Sequence, residues 1–213
     1  MTTTQIIIGI IIAVVVFILL RRRGTANRIV NIDNPKIVLL QIGNLSQSQI
    51  DSDKGIYSDF YSNVMTKTVN DLKGLIDFIG NSSFDLFHLF VDIDKEGNIF
   101  DGTQNKINIY KLVDLIQTRD AKYIFFAKDN PVEGYNKGAQ EIKHTTNVVM
   151  TLERKGNNFP DFFRKVFSKV SKGQSFPVAW NEIAPQIPGA MHENIPGTIA
   201  VMGAGGVVLR ADK

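Results

Sequence analysis

The chain has 213 residues, enough for one ordinary domain with a buried core once a membrane segment is set aside. It contains no cysteine, which excludes disulfides, thiolate metal sites and thiol nucleophiles in any fold it adopts. Its net charge of +3 is concentrated at the start: Arg21, Arg22, Arg23 and Arg28 precede the first acid, Asp33, leaving 20 basic against 21 acidic groups. A body so near neutral lacks the basic stripe that neutralises phosphates, so nucleic acid is not an expected partner.

Residues 6–20 are uninterrupted apolar side chains apart from Gly9, running from Ile6 through Phe17 to Leu20. With the lead-in at residues 2–5, about 20 residues at ~1.5 Å each reach across roughly 30 Å of hydrocarbon. A cleaved signal peptide carries positive charge before its apolar run and small residues after it. Here the order is reversed, because residues 1–5 are uncharged and Arg21, Arg22 and Arg23 follow the run. The prediction is one transmembrane helix with a basic flank over residues 1–23, Arg21 snorkelling to absorb a slight shortness of the apolar stretch. Positive flanks stay cytoplasmic, which puts the N-terminus outside and everything from residue 21 onward in the cytoplasm of a single-pass cell-membrane protein. Gly9 and Ala13 form a small-xxx-small pair that would let two such helices approach closely. The lipid bilayer is therefore the first expected partner.

Residues 24–35 read as a linker rich in turn-forming residues. Residues 36–42 are a buried-strand run. One face of a long helix is predicted over 59–79 from positions 61, 64, 65, 68, 69, 72, 75, 76 and 79, with Gly80 and Asn81 as its stop. Strand 86–91 follows, then a turn at 94–97, a short return at 98–100 and a helix at 107–117. Next come a strand at 122–127, a short helix at 134–144 and a strand at 147–152. The helix at 160–172 has Pro160 in its first turn and Gly173 as its stop; Phe159, Phe162, Phe163, Val166, Phe167 and Val170 share one face, and Arg164, Lys165, Lys169 and Lys172 the other. A short helix at 178–183 and strands at 198–202 and 207–210 complete the chain. Strand and helix units in alternation imply an α/β domain over residues 36–213, with a mostly parallel central sheet and helices on both faces.

Few constellations point to chemistry. Asp92, Asp94, Glu96, Gly97 and Asn98 imitate the opening of an EF-hand loop, but its twelfth position is Thr103 in place of a bidentate Glu, and an acidic hairpin turn explains the pattern. Gly203, Gly205 and Gly206 resemble a phosphate-binding loop, yet a strand pattern follows where such a loop must open a helix. His88, His144 and His192 have no metal-ligand spacing, and His88, inside an apolar strand, reads as a satisfied core or sheet-edge histidine. No G-x-S-x-G elbow is present. No cofactor, metal or small-molecule substrate is indicated.

One order of features reaches further. A strand with Asp85 and His88 ends in a polar turn, a later strand ends at Phe126, Ala127 and Lys128, and then come strand 147–151, the Phe-rich helix, Gly173, Ser175, Ala179 and Trp180. This order, over roughly residues 36–210, resembles the caspase-like CHAT domains of bacteria. The resemblance implies a caspase-like fold, with a catalytic His at one strand end and a nucleophilic Cys at another. By position His88 matches a first, non-catalytic histidine, the catalytic histidine falls on Asp92, and the nucleophile falls on Lys128. An acid and an amine there cannot form a thiolate–imidazole pair. The resemblance thus implies a pseudoenzyme, with an ion pair expected between Asp92 and Lys128. The leading expectation is a membrane-anchored interaction or self-assembly module in bacterial signalling or defence. Two others stand beside it: an accessory single-pass subunit of a larger membrane complex, and a non-thiol enzyme using Asp92, Asp94 and Lys128.

Overall fold

A computed structural model describes residues 29–43, 47–101, 103, 105–139, 146–187 and 194–211. The predicted anchor, with Ile6, Gly9, Ala13, Phe17, Leu20, Arg21, Arg22 and Arg23, lies outside the described residues, as do His144 and His192. Among the described residues no helix is long and apolar enough to cross a membrane.

Among the described residues, eleven strands and six α-helices follow one another. They are β1 (Val30–Asp33), β2 (Ile37–Ile42), α1 (Gln47–Ser58), β3 (Val64–Val69), α2 (Leu72–Asn81), β4 (Leu86–Phe90), β5 (Asp92–Ile93) and β6 (Asn98–Phe100). Then come β7 (Lys106–Asn108), α3 (Ile109–Gln117), β8 (Tyr123–Phe126), α4 (Val132–Ala139), β9 (Asn147–Glu153), α5 (Asn158–Val170), α6 (Phe176–Ile183), β10 (Gly197–Met202) and β11 (Val207–Arg210). The central sheet has six strands in the order β10-β9-β8-β4-β2-β3. All its neighbours run parallel except β10, which returns antiparallel to β9.

Strand alternation sorts the side chains into two cores. Val38, Leu40, Phe87, Leu89, Ile124, Phe126, Val148 and Met150 face α2, α3 and α4. Ile37, Leu39, Leu86, Phe90, Tyr123, Phe125 and Val149 face α1, α5 and α6. The second core is aromatic: the fully buried Phe125 ring meets Phe163, Phe167 and Phe176 with centroids at 5.6, 6.0 and 5.8 Å. Aromatic burial of this kind supplies large apolar area plus a favourable edge-to-face term.

The mixed α/β architecture with a mostly parallel sheet is thus as the sequence implies, but two elements differ. The single helix expected at 59–79 is instead β3 followed by α2, preceded by an unforeseen helix, α1. Val64, Thr66, Thr68 and Val69 are β-branched and favour a strand, and β3 takes the sheet edge beside β2. Asp71 then caps α2 by accepting from the Gly74 amide at 2.7 Å. The stretch expected to be a linker contributes β1, which pairs in parallel with β11 from Val30 opposite Val207 to Asp33 opposite Arg210.

A small hairpin sheet, β5-β6-β7, leaves the end of β4 and packs against α4. Its turn uses Gly97 at a φ of +80°, a conformation glycine adopts without strain. The helix approaches so closely that a Cβ on Gly134 would lie 2.2 Å from the Asp94 carbonyl oxygen. Gly134→Ala should therefore destabilise the domain by about 1–3 kcal/mol, whereas Lys67→Glu on exposed β3 should change it by less than ~0.5 kcal/mol. Urea unfolding followed through Trp180, the chain's single tryptophan, measures both.

Candidate functional site

Parallel strands deliver the residues that follow them to one edge of the sheet, which is where α/β proteins place ligands. At that edge β4 leads to Asp92, β8 to Lys128 and Asp129, and β9 to Arg154. The Lys128 ammonium donates to the Asp92 carboxylate, so the two positions matched to the caspase-like catalytic pair are joined as an ion pair. Asn130 aligns the two strand ends. Its Oδ1 accepts from the Ile93 amide at 3.0 Å, and its Nδ2 donates to the Lys128 carbonyl at 2.9 Å. Asp129 in turn accepts from the Arg154 amide.

Asp94 is committed elsewhere. Its Oδ1 accepts from the amides of Glu96 and Asn98 at 3.0 and 2.8 Å, and its Oδ2 accepts from Lys106 at 3.0 Å. Burial works to raise the Asp94 pKa, but the Asn98 and Lys106 hydrogen bonds outweigh it and leave the group below the usual carboxylate range. The calcium-like pattern is therefore a hairpin turn whose acidic oxygens hold its own backbone. Among the described residues no group of three or more His, Cys, Asp or Glu could hold a metal ion. Gly203–Gly206 is likewise a turn: Asn147 accepts from the Ala204 amide at 3.0 Å and donates to the Gly205 carbonyl at 3.2 Å.

Beneath the edge lies a buried polar cluster. Asp53 of α1 and His88 of β4 are fully buried, and Arg154 is 4% exposed. Arg154 donates to both oxygens of Asp53 at 2.9 and 2.6 Å and to the Ala127 carbonyl at 2.7 Å. Its guanidinium carbon sits 3.9 Å from the Phe159 ring centroid. His88 Nε2 lies 3.0 Å from Asp53 and its Nδ1 lies 2.8 Å from the Tyr57 hydroxyl. A carboxylate only accepts, so Nε2 carries the proton and donates to Asp53 while Nδ1 accepts from Tyr57. Neutral His88 thereby satisfies every polar atom it has. Burial holds its pKa below the ordinary 6.5, with the Asp53 contact opposing that shift and Arg154 adding to it. Burial, reinforced by Asp53, pushes the Tyr57 hydroxyl well above its usual value.

Of the two readings its apolar strand allows, His88 is the satisfied core histidine and not one at a sheet edge. Its partners Asp53 and Tyr57 were not foreseen, because α1 has only Ile50, Ile56 and Tyr57 as large apolar residues. The available signal was the spacing of positions 50, 53 and 57, which places an acid on the inward stripe of a helix. Neither a family model nor a curated protein sequence matches this chain.

The cluster makes stability pH-dependent. His88 takes up a proton near 6.5 in the unfolded chain but only at lower pH in the fold, so its contribution is complete above about 6.5 and is lost as pH falls below it. Thermal melts from pH 7.5 to 5 should show that loss with a slope of up to ~1.4 kcal/mol per pH unit, and His88→Gln should flatten it. Asp53→Asn, which strips a buried guanidinium of its counter-charge, should cost about 3–5 kcal/mol.

Proposed function

We propose that this protein is a membrane-anchored, catalytically inactive caspase-like domain that acts as a protein-interaction or assembly module. Residues 1–23 hold it in the cell membrane with its N-terminus outside, and the domain behind works on the cytoplasmic face in bacterial signalling or defence. The observation that carries this reading is the Asp92–Lys128 ion pair. It occupies the two strand ends where the resembling family places its histidine and cysteine, and neither group there can serve as a thiolate nucleophile. The mostly parallel sheet with helices on both faces supports the caspase-like reading of the fold.

Asp94 is engaged by its own turn, Asp129 by the Arg154 amide, and Arg154 by Asp53. This speaks for a structural use of the edge over the non-thiol enzyme built on Asp92, Asp94 and Lys128. The accessory-subunit reading differs in where the contact lies. Capture of integral-membrane proteins by residues 1–28 alone would favour it.

Affinity capture of the full-length protein from native membranes should return a stoichiometric partner or a self-assembled particle. The double variant Asp92→Ala, Lys128→Ala should keep that assembly, with a stability change of about 1 kcal/mol or less for this partly exposed pair. Loss of biological activity in the double variant with assembly intact would overturn the proposal in favour of an enzyme. Protease added to the outer face of spheroplasts should leave residues 29–213 intact, and cleavage there would reverse the orientation.

A further inference from the structure

The basic face of α5 is a sequence feature that the proposed function leaves unused. Arg164, Lys165, Ser168, Lys169 and Lys172 line an open groove of about 580 Å³ that Phe60 and Ile183 complete, and none of its described lining residues is an acid. The body of the chain balances 20 basic against 21 acidic groups, so four cations around one groove are a local concentration. Two of them are spent within the domain. Arg164 pairs with Asp59 at 3.0 Å and with Asp161 at 3.6 Å, and Lys169 pairs with Glu182 at 2.7 Å. Lys165 and Lys172 are exposed and have no ion-pair partner among the described residues. Lys172 stands in the turn that ends α5, two helical turns or about 10 Å along the axis from Lys165. The groove also lies near the point where the chain enters the domain. Residues 21–29, between the apolar run and β1, span at most ~32 Å when fully extended. From Val30, β1 runs three residues (~10 Å) to Asp33, one strand spacing of ~5 Å from Arg210. Ala211, the next residue, donates its amide to the Ser171 carbonyl at 3.1 Å, and Ser171 adjoins Lys172.

We infer that this groove binds the phosphate of an anionic phospholipid headgroup in the bilayer that holds the anchor, and so lays α5 against the membrane surface. Charge supports this occupant, because the cytoplasmic leaflet carries a negative surface potential that draws clustered lysines close to a membrane segment. Reach supports it too, since the short tether keeps the bilayer within range of the strand that meets the end of α5. Phe60 and Ile183 add apolar surface alongside the cations, which suits the carbon backbone of a headgroup better than a bare inorganic ion. Two free ammoniums are too few for nucleic acid, whose binders neutralise runs of about 6–10 phosphates. This inference rests on the membrane-anchored reading and names the surface that the domain turns to the bilayer.

The full-length protein would be reconstituted into lipid nanodiscs of phosphatidylcholine alone or of an equal mixture with phosphatidylglycerol, and its lysines acetylated and read by mass spectrometry. Lys165 and Lys172 should label at least fivefold more slowly in the anionic discs, while exposed Lys67 on β3 labels equally in both. At about 1 M salt, where the screening length is ~3 Å, the difference should vanish. Lys165→Gln should reduce the protection of Lys172 to less than twofold with an unchanged thermal melt, and Lys165→Arg should restore it. Equal labelling of the two lysines in both discs, or equal slowing of Lys67, would overturn the site. So would the same protection in detergent by millimolar glycerol phosphate, which would assign the groove to a soluble phosphate ester. Protection in native membranes but not in anionic discs would refute the lipid in favour of an acidic protein partner. Slow labelling of both lysines in detergent alone would refute it as well, since the chain would then cover its own groove. Release of the unaltered protein from native membranes by alkaline carbonate would refute the anchored reading itself, whereas a carbonate-resistant protein with equal labelling would refute only the groove.

Discussion

The interaction on which the rest of the structure depends is the buried pair of Asp53 and Arg154. It joins α1, entering from one side of the sheet, to the residue that follows β9, and through the Ala127 carbonyl it fixes the end of β8 as well. Such a pair survives in a low-dielectric interior only when the remaining polar atoms are also engaged. Neutral His88 fills that role by occupying Asp53 on one side and Tyr57 on the other, and the Phe159 ring covers the guanidinium. The aromatic core between the sheet and α5 is therefore built around a polar pin that specifies where α1 docks.

That pin also explains why the carboxyl edge looks as it does. With Arg154 drawn inward, its amide takes Asp129, and Asn130 stitches the end of β8 to the strand after β4. Asp92 and Lys128 are thereby brought face to face. An edge where α/β proteins place ligands is here occupied by Asp92 and Lys128, which satisfy each other.

How far this was legible in the sequence depends on how local each signal was. Strands β2, β4 and β8 are apolar runs broken only by Gln41 and His88 and buried on both faces, and the six apolar positions of α5 repeat at helical spacing, so both could be read directly. The edge strand β3 could not, because four consecutive residues, Met65 to Thr68, are exposed and leave no alternation, while its apolar residues fell on a helical period. α1 escaped because Asp53, a core residue in fact, reads as a surface residue in sequence. The residues of the carboxyl edge were legible as strand ends, but their pairing was not, since 36 residues separate Asp92 from Lys128 and 101 separate Asp53 from Arg154.

The sequence by itself determined what depends on composition and short-range pattern. Without cysteine there is no thiol chemistry, an uninterrupted apolar run followed by arginines specifies the expected anchor, and alternating strand and helix signals specify an α/β body. The tertiary structure alone decided which polar residues are buried and with whom, because burial energies act between segments far apart in the chain. It gave His88 its partners, Asp53 and Tyr57. It placed β3 and β10 at the two edges of the central sheet, since strand order is fixed by packing and not by the order of residues.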